Sequence, residues 1–315
     1  SGAMSNSIPE IEDADLLFIF GYNGADSHPI VARRIVRAKE KGATLITVDP
    51  RVTETARISD MHLPIKGGTN MILVNAFGNV LINENLYDEE FIKEHTDNFE
   101  EYKKIVEPYT PEYAAKYTNI PADMIRKTMR EYAKAKDAMI LYGMGVCQFS
   151  QAVDVVKGLA SLALLTGNFG RPNVGIGPVR GQNNVQGACD MGALPGDFPG
   201  YQKVANPEVL AKFEKAWGTK LNPNPGTHAT DIFPAAIRGD VKGLYIFGED
   251  PVVTDPDTHH VIKALKSLDF FVMNELFMTE TAQYADVILP GVSYAEKEGT
   301  FSNTERRVQR VRKAV

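Results

Sequence analysis

The chain has 315 residues, 43% of them hydrophobic and 23% charged, and a formal net charge of −6. That is enough apolar mass for a large core in two or so domains, while the acidic balance disfavours a nucleic-acid partner, whose phosphates need a basic face. No apolar run approaches the ~18 residues of a membrane-crossing helix and no signal peptide opens the chain, so a cytoplasmic protein is expected.

The opening Ser1-Gly-Ala-Met4 reads as an expression remnant and is set aside. Asp15-Leu-Leu-Phe-Ile-Phe20 is a short apolar run closed by Gly21, the pattern of a buried parallel strand. A helix over 28–41 follows, with Ser27 as N-cap, Pro29 in its first turn and Gly42 closing it. Thr44–Val48 is a second strand, ending in Asp49, Pro50 and Arg51. This is βαβ grammar, and nucleotides bind beyond the carboxyl ends of such strands. Asp49 stands where an acid takes ribose hydroxyls or a guanine edge, or serves as a turn aspartate before proline. Asn23, Asp26 and Ser27 sit where the first strand feeds a helix N-terminus, a natural phosphate seat. Asp26 is itself anionic, so capping or guanine recognition suits it better. Gly21 and Gly24 do not complete a GxGxxG fingerprint.

Amphipathic segments over 86–137 predict a helical cover without chemistry. Ala138–Tyr142 returns as a strand of the first lobe, before Gly143-Met-Gly145 and a helix over 151–165. The stretch 177–195 shows neither a helical nor a strand period. It sets Arg180 beside Gln182, Asn183, Asn184 and Gln186, with glycines that let backbone amides approach a ligand. Residues 202–235 read as loop-rich.

The chain then repeats itself. Tyr245-Ile-Phe-Gly-Glu-Asp-Pro251 echoes Phe18-Ile-Phe-Gly-Tyr-Asn23, and Thr279-Glu-Thr-Ala echoes Thr53-Glu-Thr-Ala at nearly the same spacing from its strand. Two homologous, doubly wound α/β lobes with mainly parallel sheets are expected, over 5–180 (with the insertion 86–137) and 181–315. Glu249, Asp250 and Glu275 take the second lobe's counterparts of the first lobe's strand-end polar residues. Two lobes imply two dinucleotides, with the 177–195 loop between them.

Other chemistries find little support. The six histidines show no HxxxH or HExxH spacing, and GxSxG is absent, which argues against a zinc enzyme and a serine hydrolase. Cys147 and Cys189, the only cysteines, cannot supply the four thiolates of an iron–sulfur cluster or structural zinc site. Two reduced thiols are the default reading, with a disulfide between them left open.

Val179-Arg-Gly-Gln-Asn-Asn-Val-Gln-Gly-Ala-Cys-Asp-Met-Gly192 resembles the active-site loop of the molybdenum- or tungsten-dependent formate dehydrogenase catalytic subunit. The likeness extends to Gly21–Pro29, Asp49–Arg51, Gly143–Gln148, Thr166–Pro172 and Gly248–Pro251. It implies a central portion of such a subunit, binding two molybdopterin guanine dinucleotides that carry Mo or W. An iron–sulfur cluster would be held by a region outside this chain, formate or CO2 would be the substrate, and an electron-transfer subunit the partner. By motif match Arg180 holds the formate carboxylate, Gln182 sits near metal and pterin, and Gly143, Met144 and Gln148 line the first cofactor. Pro50, Arg51 and Gly248 fall in matched cofactor segments. Cys147 is followed by Gln148 rather than histidine, so it does not match the family's metal thiolate. The portion alone is expected to be inactive. Sibling readings are a nitrate reductase or formylmethanofuran dehydrogenase, or a structural subunit that kept the fold without the metal, as in respiratory complex I.

Overall fold

A computed structural model describes residues 2–315, which form two compact units. The first runs to Asn183 and takes in Asn303–Arg307; the second comprises Asn184–Ser302 and Val308–Val315. The stretch 303–307, which the sequence reading places in the second domain, thus belongs with the first.

In chain order the first unit contains β1 (Leu16–Phe20), α1 (Gly24–Ser27), α2 (Pro29–Glu40), β2 (Thr44–Val48), α3 (Glu54–Ile58), β3 (Met61–Leu63) and α4 (Asn70–Asn83). The cover helices follow: α5 (Glu89–His95), α6 (Phe99–Val106), α7 (Pro111–Thr118) and α8 (Ala122–Lys134). It closes with β4 (Ala138–Tyr142), α9 (Met144–Cys147), α10 (Ala152–Leu165) and β5 (Gly175–Pro178). Its sheet has five strands in the order β3-β2-β1-β4-β5, all parallel.

Both faces of that sheet are buried, as an all-parallel sheet requires. Leu16, Phe18 and Phe20 of β1 join Ile46, Val48, Ile140 and Phe77 in one apolar cluster, and Phe18 meets Phe77 edge-on at 5.6 Å. The alternate residues Leu17 and Ile19 join Leu45, Met139, Leu141 and Ile35 on the other side. Met4, set aside at the sequence level, is buried in that second cluster and donates its N–H to the Thr304 carbonyl at 3.0 Å. Helix α2 is capped by His28 rather than Ser27, because Ser27 ends the separate turn α1 and its hydroxyl donates back to the Asn23 carbonyl at 3.0 Å.

The second unit contains α11 (Val185–Asp190), β6 (Asp197–Phe198), β7 (Gln202–Lys203), α12 (Pro207–Trp217), α13 (Ala229–Arg238) and β8 (Gly243–Phe247). After these come α14 (Pro251–Thr254), α15 (Thr258–Leu265), β9 (Phe270–Glu275), β10 (Val287–Pro290), β11 (Gly299–Ser302) and β12 (Val308–Val311). Its main sheet is parallel and three-stranded, β10-β9-β8. One face packs Phe271 and Met273 against Phe233, Val252 and Val261, while Tyr245, Phe247 and Phe270 stay half exposed or more. Helices α12 and α13 correct the loop-rich reading of 202–235: Asn206 accepts from the amides of Glu208 and Val209, Gly218 and Gly239 end the helices in the left-handed region, and Phe213 stacks on Phe198 at 4.5 Å. Helix α11 likewise corrects the aperiodic reading of 177–195; it is too short to display a period.

The repeat is preserved hydrogen bond by hydrogen bond. Gly21 and Gly248, at φ +57° and +64°, donate to the last carbonyls of β2 (Val48) and near the end of β9 (Asn274) at 2.8 and 2.9 Å. Thr55 donates its hydroxyl to Asn23 and Thr281 to Asp250. The carboxylates of Asp60 and Asp286 accept the N–H of Leu45 and Phe271 at 2.8 and 2.7 Å.

Candidate functional site

A cleft of about 380 Å³ opens at the carboxyl ends of β1, β2, β4 and β5, across the β1/β4 position where the strand order reverses. Four turns line it, represented by Asn23, Asp49, Met144 and Gln182. Its floor depends on two turns meeting backbone to backbone. Gly145 donates its N–H to the Gly21 carbonyl at 3.0 Å, and a Cβ on Gly21 would lie 2.7 Å from the Gly145 carbonyl carbon.

Asp49 is 7% exposed, and its carboxylate accepts the Arg51 amide at 2.9 Å. Its carbonyl accepts from His62 Nε2 at 2.8 Å, which fixes the turn. Pro50 and Arg51 share the cleft wall. Asn23 and Ser27 line it as well, while Asp26 does not and instead accepts the Asn23 side-chain amide. Gly143 and Met144 line it; Gln148 does not, its amide resting 3.8 Å from the Met144 sulfur.

After β5 the sequence-predicted amides separate. Gln182 lines the cleft, but Gln186 is buried against Asp190 and Tyr201, and Asn184 caps α11 while accepting the Ser302 amide at 2.9 Å. Arg180 stands beside the cleft residues Val179 and Gly181 without lining the cleft itself. Its positive charge reaches Tyr142 and Cys147. Burial, with Cys147 nearby, pushes the Tyr142 phenol up to about 12 against the pull of Arg180, and burial likewise raises the Cys147 thiol against that same pull. Both cysteines are free thiols. Tyr22 and His28, absent from the residues expected at the site, also line the cleft. Their rings pack at 5.5 Å, and Tyr22 Oη and His28 Nδ1 are buried without a hydrogen-bond partner. The legible signal was His28-Pro29 at a helix start, which fixes where the ring stands.

In the second unit Gly248 makes the equivalent turn. Asp250 accepts from the Thr281 amide at 3.0 Å and its hydroxyl at 2.5 Å, Glu249 accepts the Thr254 hydroxyl at 2.9 Å, and Glu275 accepts the Leu276 amide at 2.7 Å.

A cleft at the switch point of a five-stranded parallel sheet marks a doubly wound α/β fold, the place where such folds take ligands. The chain belongs to the molybdopterin oxidoreductase family, whose model matches residues 1–315. It is 54% identical over 315 residues to the F420-dependent formate dehydrogenase 1 subunit alpha of Methanococcus maripaludis, covering all of this chain and 46% of that protein. It is 53% identical over 316 residues to formate dehydrogenase H of Escherichia coli, covering all of this chain and 44% of that one. The chain therefore spans just under half the length of these relatives. Acetylene hydratase from Pelobacter acetylenicus shares the fold, with TM-score 0.75 at 22% identity over 98% of this chain and 47% of its own. Among the described residues no helix is long and apolar enough to cross a membrane.

Proposed function

We propose that this chain is the dinucleotide-binding part of a formate dehydrogenase alpha subunit, in which the first-unit cleft holds one molybdopterin guanine dinucleotide and Arg180 binds the formate carboxylate. The observation that carries the reading is the cleft itself. Its volume falls in the range of ligand pockets, ~300–1,000 Å³; glycine backbone forms its floor, and the buried Asp49 supplies an acid for a ribose or guanine edge. These features fit the cofactor. The repeated turn at Gly248, with Asp250 and Glu275, supports a second dinucleotide in the second unit.

When bound, the pterin-held Mo or W would supply the acceptor for the two electrons that formate loses on becoming CO2 and a proton; an iron–sulfur cluster and an electron-transfer subunit would be the further partners. The residues of this chain bind and orient. Arg180 offers two parallel N–H donors to a carboxylate, Gln182 presents an amide to the cleft, and Asp49 anchors the nucleotide end. The Arg180–Gly192 motif favours formate over the nitrate reductase type of substrate.

Calorimetric titration of the 315-residue chain is expected to show GDP binding more tightly than ADP, with the difference lost in Asp49→Ala; equal affinities would remove the guanine assignment. In the longer protein, formate-dependent dye reduction is expected, and its absence from cofactor-loaded enzyme would overturn the formate reading. The 315-residue chain alone is expected to be silent in that assay.

A further inference from the structure

We propose that His28 is a positioning residue for Arg180, holding the backbone from which the guanidinium projects; this rests on the reading of Arg180 as the carboxylate anchor. Strand β5 ends at Pro178, and Val179 makes a last ladder-like bond, donating to the Tyr142 carbonyl at 2.9 Å. Beyond that point the peptide groups of Arg180 have left the sheet and need other partners. Two side chains distant in sequence provide them. His28 Nε2 lies 2.6 Å from the Arg180 carbonyl, and Thr304 Oγ1 lies 3.4 Å from the Arg180 amide.

The roles follow from chemistry. A carbonyl only accepts, so His28 carries its proton on Nε2 and donates. The Thr304 hydroxyl donates to the Pro178 carbonyl at 2.6 Å, leaving its lone pairs to accept the Arg180 N–H. Neither clamp is loose. The His28 N–H donates to the Gly24 carbonyl at 2.8 Å, its carbonyl accepts from Ala32 at 2.9 Å, and its ring rests on Tyr22. Thr304 is tied through its carbonyl to Met4. The arginine therefore projects from a peptide gripped on both sides, which fixes the origin and starting direction of its side chain.

The test uses substitutions that separate the donor from the ring. His28→Phe keeps the aromatic packing and removes the N–H; His28→Gln places an amide N–H at similar reach. In the full-length enzyme His28→Phe is expected to raise the formate KM about tenfold, the worth of one hydrogen bond, with a smaller change in kcat and intact cofactor content, and His28→Gln to restore most of it. In the 315-residue chain, amide exchange over residues 179–184 should quicken in His28→Phe and stay slow in His28→Gln. Combined with Arg180→Lys, His28→Phe should add little. A raised KM in Arg180→Lys with an unchanged KM in His28→Phe overturns the role of His28 alone. An unchanged KM in Arg180→Lys overturns the carboxylate reading and this role with it. If His28→Gln behaves as His28→Phe, the donor is not what matters and the proposal fails. Should His28→Phe not fold, Thr304→Val removes the other clamp, and unaltered exchange at Arg180 there counts against the proposal.

Discussion

As the proposed carboxylate anchor, Arg180 would face a charge that changes during the reaction. Formate is an anion and CO2 is neutral, so in oxidation the charge opposite the guanidinium shrinks along the path and the pairing serves mainly to bind and orient. Arg180→Lys keeps the charge and loses the bidentate grip. The formate KM is expected to rise by about 10- to 100-fold, from ~1.5–3 kcal/mol for a charged hydrogen bond, with a smaller loss in kcat. In CO2 reduction the carboxylate grows, and the same substitution should depress the rate itself. Steady-state kinetics in both directions checks this. Glu10 offers a second test at this scale. Burial opposes its ionisation, yet donors from Asn6, the Asn173 and Ser7 amides and the Ser7 hydroxyl outweigh it and lower its pKa from 4.5 to about 2. A carboxyl with a depressed folded pKa stabilises above its unfolded value and loses that contribution as pH falls through the folded one. The stability gap between wild type and Glu10→Gln should therefore be full above pH 4.5 and shrink toward pH 2, as measured by urea midpoints at each pH. Arg180 amid amides and Asp49 at a strand end stand out in the sequence as chemically unusual; the fold sets Asp49 in the cleft wall and Arg180 beside it. Tyr22 carries no such signal and His28 only its place before Pro29, since a tyrosine and a histidine beside a strand are ordinary core residues until the fold shows their polar atoms at a cleft wall.

At the level of elements, the strands were readable because buried parallel strands such as Leu16–Phe20 and Ala138–Tyr142 are unbroken apolar runs bounded by turns. The repeat was readable because its hydrogen-bonding side chains, Thr55 with Thr281 and Asp60 with Asp286, recur in register. What escaped were α11, α12 and α13. The first is too short for periodicity, and the others lie in a stretch rich in proline, asparagine and glycine whose caps read as loop. The contact between the β1–α1 and β4–α9 turns gives this scale its prediction. A Cβ on Gly145 would lie 2.7 Å from the Gly21 Cα and 2.9 Å from its carbonyl oxygen, all backbone that cannot swing aside. Gly145→Ala should destabilise by about 1–3 kcal/mol, the usual cost of overpacking. Gly67→Ala, which meets nothing within 4 Å, serves as the control and should stay within about 0.5 kcal/mol. Equal urea midpoints for the two variants would mean the turns part easily.

For the molecule as a whole, the two units are unequally insulated from water. The first wraps its sheet in apolar clusters on both sides. The second has one such cluster and leaves Tyr245 56%, Phe247 68% and Phe270 51% exposed on or beside its strands. Buried apolar area is the main stabilising contribution to a fold, at roughly 25 cal/mol per Å², so the second unit holds less of it to set against its chain entropy. Scanning calorimetry of the 315-residue chain is expected to give two overlapping endotherms, with a calorimetric enthalpy exceeding the van't Hoff value. The lower-melting step should be the one reported by spectroscopic probes placed in the second unit; a single two-state transition would show that the half-covered sheet is no weaker than the enclosed one. The consequence reaches beyond melting. A sheet open on one side makes the second half of the chain a reservoir of local unfolding. In any experiment that heats, dilutes or nicks this protein, the Gly248 turn should lose its shape while the Gly21 turn still keeps its own.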